Sequence, residues 1–159
     1  MKNDVLLNIG GEDFTEFIND GAYYVDKTSF LKDLLITGAI KNSLFIRPRR
    51  FGKTLNMNMI KEFCELNYQD PGDKSIQQKL FIDNGRNLAV ADDEYEELRE
   101  KIMGELPVIS ISFRGVAGNS FQSAVSAILE IIAQLYNRFL FLRESAEQPE
   151  ELIDRKSVV

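Results

Sequence analysis

The residues predict an α/β fold, a three-layer domain in which helices cover an incomplete sheet. Three observations lead there. Ser43-Leu44-Phe45-Ile46 is too short for a helix and too apolar for a loop, which suits a buried parallel strand. Pro107-Val108-Ile109-Ser110-Ile111-Ser112-Phe113 reads as a second strand, alternating in character towards its end. Segments with helical spacing of apolar residues separate and follow these two, so the order is strand, loop, helix, further helices, strand, helix. Two strands are too few to complete a sheet, and the residues are therefore expected to be the front part of something longer.

From the N-terminus, Val5 to Ile9, then Gly10-Gly11, then Phe14, Phe17 and Ile18 predict a lead-in strand or loop and a short helix. Tyr23-Tyr24-Val25-Asp26-Lys27-Thr28 leads to a helix with Phe30, Leu31, Leu34 and Leu35 on one side. Asp26 or Thr28 is its expected cap and Gly38 its stop. The helix after the first strand is expected to run from Lys53 to Tyr68. Leu55, Met59, Ile60, Phe63 and Leu66 form its core face, with Met57 and Met59 as core filler and Pro71-Gly72 as its end. Lys74 to Phe81 suits a short helix and Asp83-Asn84-Gly85 a turn. Asp92 to Met103 suits an acidic helix whose Tyr95, Leu98 and Ile102 face inward, and Asn119 or Ser120 caps a long helix that ends near Leu142. The domain is thus expected over residues 1–143, with an acidic, frayed tail over 144–159.

The segment between the first strand and its helix is Arg47-Pro48-Arg49-Arg50-Phe51-Gly52-Lys53-Thr54. A phosphate-binding loop has Gly, four residues of any kind, then Gly-Lys-Ser/Thr, and Gly52, Lys53 and Thr54 supply the second half at that spacing. Arg47 stands where the first Gly would be. Gly52 permits close approach of backbone N–H groups to phosphate, and Lys53 is the catalytic candidate because it reaches the β and γ phosphates. The Thr54 hydroxyl can ligate Mg²⁺. The helix opening near Lys53 adds the positive end of its dipole. Pro48 has no N–H to give, and four cations within seven residues, Arg47, Arg49, Arg50 and Lys53, compensate through guanidinium forks that suit phosphate oxygens. The other reading of the same cluster is a basic turn that clamps nucleic acid or an acidic protein partner without nucleotide.

Composition narrows the choice. At 159 residues, 44% hydrophobic and 28% charged, the chain is long enough for one domain with a sizeable core. A net charge of -6 argues against broad nonspecific nucleic-acid binding, although a local basic patch can still act. With no histidine, Cys/His zinc sites and histidine-dependent triads cannot be built, and the single Cys64 forms no intramolecular disulfide. Cys64 lies among Ile60, Phe63 and Leu66 and is read as a buried, inert thiol. No apolar run reaches the length of a membrane span, so a cytoplasmic location is expected.

Hydrolysis requires an acid at the end of a strand beside the loop to hold Mg²⁺, yet the second strand ends at Phe113-Arg114. Leu88-Ala89-Val90-Ala91 followed by Asp92-Asp93-Glu94 imitates such a strand, but the run is short and rich in alanine, and Asp92 is read as a helix cap. The acid is expected beyond Val159, and the residues present are expected to hold nucleotide and turn it over poorly.

Taken together, Tyr23 to Thr28, Phe45 to Asn56, Leu80-Phe81 and Pro107 to Phe113 resemble, in order, the AAA-ATPase-like domain of bacterial and archaeal proteins that commonly carry a PD-(D/E)XK nuclease-like domain at the C-terminus. The resemblance implies a P-loop NTPase (AAA-like) fold, ATP and Mg²⁺ as cofactors, and Arg47, Arg49, Arg50, Phe51, Gly52, Lys53, Thr54 and Leu55 as the nucleotide-binding residues. It also implies that the Asp-Glu strand and the nuclease-like domain follow, with nucleic acid as a partner through that later domain, and it leaves oligomerisation open. By resemblance Tyr23 to Thr28 lies near the base or the loop, where a tyrosine face would stack on adenine and Asp26 would pair with a loop arginine. Against this stands the plainer reading, tyrosines in the core and Asp26 as a cap.

Overall fold

The computed structural model describes residues 10–36, 42–116 and 120–141. These divide into two compact units, one ending at Val108 and one beginning at Ile109.

The first unit is helical. α1 (Phe14–Asn19) starts where the Asp13 carboxylate accepts a hydrogen bond from the Glu16 amide, and it buries Phe14, Phe17 and Ile18. α2 (Phe30–Leu35) buries Leu31. α3 (Lys53–Cys64) follows the arginine-rich turn and buries Met59, Phe63 and Cys64, which repeat at helical spacing on one face. A short α4 (Ser75–Gln77) runs into a wide π turn, Gln78–Ile82, that buries Leu80 and Phe81. Two 3₁₀ turns, Ala89–Ala91 and Asp93–Tyr95, precede α5 (Glu96–Ile102). The buried faces meet in one core around Phe81, which stacks on Phe14 at 5.0 Å and receives Phe63 edge-on at 5.1 Å.

Arg86 closes the lower end of α1. Its guanidinium donates to the carbonyls of Phe17 at 3.1 Å and Ile18 at 3.4 Å in the last turn of α1, and to that of Ala22 at 2.6 Å just beyond it. At the other end the Phe14 amide donates to the Asn58 side chain at 2.6 Å and ties α1 to α3.

The expected three-layer α/β architecture is not what the chain forms. Among the described residues there is no strand and no sheet, and the one β pairing is an isolated parallel bridge between Glu65 and Leu106. Ser43 to Ile46 forms no regular secondary structure and leaves Leu44 83% and Ile46 76% exposed, where a buried strand was expected. Leu106, the residue just before the other expected strand, pairs with the end of α3 instead. Leu66 N–H donates to Leu106 O, and Leu106 N–H to Cys64 O, both at 2.9 Å, so residues just after α3 take up that pairing. Beyond it Ile109, Ile111 and Phe113 are exposed. An apolar run becomes a strand only where a neighbouring backbone satisfies its N–H and C=O groups, and among the described residues no backbone pairs along either run.

Several boundaries shift as well. α3 ends at Cys64 rather than Tyr68, because Glu65 turns extended to make the bridge. The acidic helix is shorter than expected, with Asp92 at the cap position of a 3₁₀ turn but making no side-chain cap bond there. Its inward face is as read, with Tyr95 and Leu98 buried and Ile102 packed on the core. Met59 is core, whereas Met57 is exposed. Gly38, the expected stop of α2, lies outside the described residues, as does the tail from residue 142.

The second unit holds α6 (Phe121–Arg138), capped by Ser120, whose hydroxyl accepts from the Ser123 amide at 3.2 Å. It ends before the expected Leu142. None of its residues is buried, so the apolar positions expected to pack stay open. Among the described residues no helix is long and apolar enough to cross a membrane.

Candidate functional site

The loop from Arg47 to Gly52 reaches α3 through two left-handed residues, Arg50 at φ 67° and Gly52 at φ 69°. A Cβ at Gly52 would meet nothing within 4 Å, so the need for glycine there is conformational: the left-handed geometry is free for glycine and costs other residues about 1 kcal/mol. Arg50 carries that cost.

Lys53 is the first residue of α3. Its Nζ donates to the carbonyl of Arg47 at 2.6 Å and to that of Pro48 at 2.9 Å, so the ammonium closes the loop on itself from within. An ammonium has three donors, and two are engaged here, which leaves one for an incoming acceptor. The Asn56 amide donates to Gly52 O, whereas the amides of Lys53, Thr54 and Leu55 belong to the first turn and have no partner inside the helix. No acidic residue sits in that turn. A helix start of this kind attracts anions through its dipole and its free N–H groups.

Beside the loop lies a cleft of about 460 Å³. Arg47, Phe51 and Lys53 line it from the loop and Asn56, Met57 and Ile60 from α3. Lys27 and Phe30 come from the segment around α2, and Ser43 and Phe45 from the run before the loop. Phe30 and Phe45 meet edge-on at 5.9 Å, which makes one aromatic side of this space. The lining contains three cations and no carboxylate.

Of the residues read from the sequence as nucleotide-binding, Arg47, Phe51 and Lys53 therefore come together at the cleft. Arg49 and Arg50 are exposed on the loop, Thr54 is exposed at the start of α3, and Gly52 and Leu55 are partly covered. None of these five lines the cleft. Sequence reasoning passed over Lys27, Phe30, Phe45, Asn56 and Met57 as site residues. Nothing local marks them, because they are gathered from three separate segments.

The segment from Tyr23 to Thr28 is settled by its contacts. Tyr24 packs edge-on to Phe14 at 5.5 Å, and burial, with the nearby charge of Asp26, pushes its hydroxyl up to about 12. Tyr23 is exposed. Among the described residues Asp26 is neither the cap of α2 nor the partner of an arginine. One carboxylate oxygen accepts from the Thr28 amide at 2.8 Å, and the other from the Ala89 amide at 2.7 Å. The buried Thr28 hydroxyl accepts from the Val90 amide at 3.1 Å. Asp26 and Thr28 thus fasten this turn to Ala89 and Val90, and Ser29 holds the cap position of α2. Cys64 is buried as expected, and burial pushes its thiol from 9.0 up to about 12, far from any nucleophilic form.

Among the described residues no group of three or more acidic, cysteine or histidine side chains converges to hold a metal ion. Comparison with curated proteins and with solved structures gave no significant match. A family model described as "Predicted AAA-ATPase" matches residues 8–157, nearly the whole chain, and the chain belongs to that AAA-ATPase-like family.

Proposed function

We propose that the chain binds ATP at the Arg47–Thr54 loop, as a variant phosphate-binding loop, and that this is its contribution to the ATPase activity its family is predicted to have. The observation that carries the reading is the acid-free cleft beside the start of α3, where Arg47 and Lys53 converge next to first-turn amides that have no partner within the helix. Lys53 exchanges its loop carbonyls for the β and γ phosphates, Arg47 adds a guanidinium fork, and Gly52 keeps the backbone close.

Mg²⁺ fits this arrangement as a cation carried mostly by the phosphates, since a small hard ion commonly keeps few protein ligands. The exposed Thr54 hydroxyl at the head of α3 is the ligand this chain offers. With no converging carboxylates among the described residues, these side chains bind and orient the nucleotide, and no hydrolytic step is assigned to them.

Calorimetric titration of the chain with Mg-ATP tests the reading. Saturable binding that is lost in Lys53→Ala is expected, with the variant unchanged in circular dichroism. Equal affinity in the two proteins defeats it. Salt-sensitive affinity for DNA or RNA, with no response to Mg-ATP, would favour the clamp reading of the same cations.

A further inference from the structure

We infer that Lys27, which lies outside the loop, is a second phosphate-contacting cation of the same site, held at the cleft by a turn that Asp26 and Thr28 fasten in place. This inference rests on the nucleotide reading above and adds a recognition residue to it.

Three observations carry it. Lys27 lines the cleft together with Arg47 and Lys53, and no carboxylate shares the lining. Among the described residues its ammonium has no ion pair and no hydrogen bond, whereas Lys61, Lys74 and Lys101 each hold a glutamate. Its two neighbours in sequence are fixed. Asp26 grips the amides of Thr28 and Ala89, and Thr28 accepts from the Val90 amide. The Lys27 carbonyl receives the Phe30 amide at 3.4 Å, which ties the same turn into α2. A lysine on a flexible surface turn loses much side-chain and backbone freedom on binding; here the backbone share has already been given up in folding.

The charge balance points the same way. Three uncompensated cations around one cleft repel each other, and a polyanion of matching charge relieves that repulsion. The apolar side chains that share the lining, Phe30, Phe45, Met57 and Ile60, favour an anion that carries an apolar or aromatic body over a bare phosphate chain. A nucleoside triphosphate has both parts.

The experiment measures affinities of wild type, Lys27→Gln, Lys27→Arg and Lys53→Ala for Mg-ATP and for adenosine, with melting temperatures alongside. Lys27→Gln is expected to weaken Mg-ATP about tenfold, the size of one charge-assisted contact, and to leave adenosine unchanged. Lys27→Arg retains most of the affinity. The difference between wild type and Lys27→Gln shrinks as NaCl is raised, which a purely structural role would not produce. Lys27→Gln binding Mg-ATP as wild type does, while Lys53→Ala does not bind, overturns the inference and leaves the nucleotide reading intact. Equal losses for ATP and adenosine, or a lowered melting temperature in both Lys27 variants, overturn it too. Should neither Lys53→Ala nor Lys27→Gln alter Mg-ATP affinity, the loop itself is not the site.

Discussion

Replacing Thr28 with valine tests how much one buried hydrogen bond contributes to holding the turn that carries Lys27. Both Thr28 and Val90 are fully buried, and the Thr28 hydroxyl accepts from the Val90 amide at 3.1 Å. Valine keeps the branched shape and removes only the acceptor, so the Val90 N–H would lie buried without a partner. Orphaning a buried donor costs ~1–3 kcal/mol. Serine is the control: it keeps the acceptor and removes one methyl group, a loss of about 0.8 kcal/mol from transfer alone. Urea unfolding should therefore place Thr28→Val about 2 kcal/mol below wild type with an unchanged slope, and Thr28→Ser about 1 kcal/mol below it. Amide exchange at Val90 should quicken in the valine variant and not in the serine variant. Because the same turn presents Lys27, Thr28→Val should also weaken Mg-ATP binding although Lys27 is intact. A valine variant within about 0.5 kcal/mol of wild type would refute the reasoning, since the amide would then have another partner or access to water.

Two further predictions follow from groups that sequence reading underrated or could only outline. Arg86→Lys keeps the charge but loses the fork that reaches the carbonyls of Ala22, Phe17 and Ile18; a destabilisation of ~1–3 kcal/mol in urea is expected, and an unchanged midpoint would show that the contacts at the end of α1 contribute nothing. For Cys64 the sign runs against alkaline stability. Its folded thiol is raised from 9.0 to about 12, so above pH ~9 the unfolded chain gives up a proton that the folded chain keeps, and stability falls as pH rises through that window. Tyr24, raised from 10.0 to about 12, adds to the same decline above pH ~10. Native protein should resist alkylation at pH ~8 while urea-unfolded protein reacts at once, and rapid native labelling would show that Cys64 is accessible.

Much of the helical content is legible in the residues because helix signals are local. The start of α3 at Lys53, the inward Met59 and Phe63 of its expected face and the Ser120 cap all depend on neighbours within a turn or two, and each is found where the spacing puts it. The loop that carries Arg47, Gly52 and Lys53 is recognisable for the same reason. The acidic helix shows the limit of local reading: its inward Tyr95 and Leu98 are right, yet a 3₁₀ turn, Asp93–Tyr95, replaces its first part.

The expected strands fail on a different physical ground. A strand is defined by a backbone partner that can lie anywhere in the chain, and the apolar character of Leu44 to Ile46 or of Ile109 to Phe113 says nothing about whether that partner is present. Here Leu106 pairs with residues at the end of α3, while Leu44 and Ile46 remain exposed, so the sheet that the two apolar runs suggested does not form among the described residues. The amino-acid order alone determined where the main helices lie and the family, because each is written in contiguous residues. Only the tertiary structure decided that Asp26 and Thr28 fasten to Ala89 and Val90, some sixty residues away, and that Lys27 stands with Lys53 at one cleft. Those juxtapositions come from the packing of separate elements on a shared core, and a linear pattern carries no record of which distant groups that packing brings within hydrogen-bond reach.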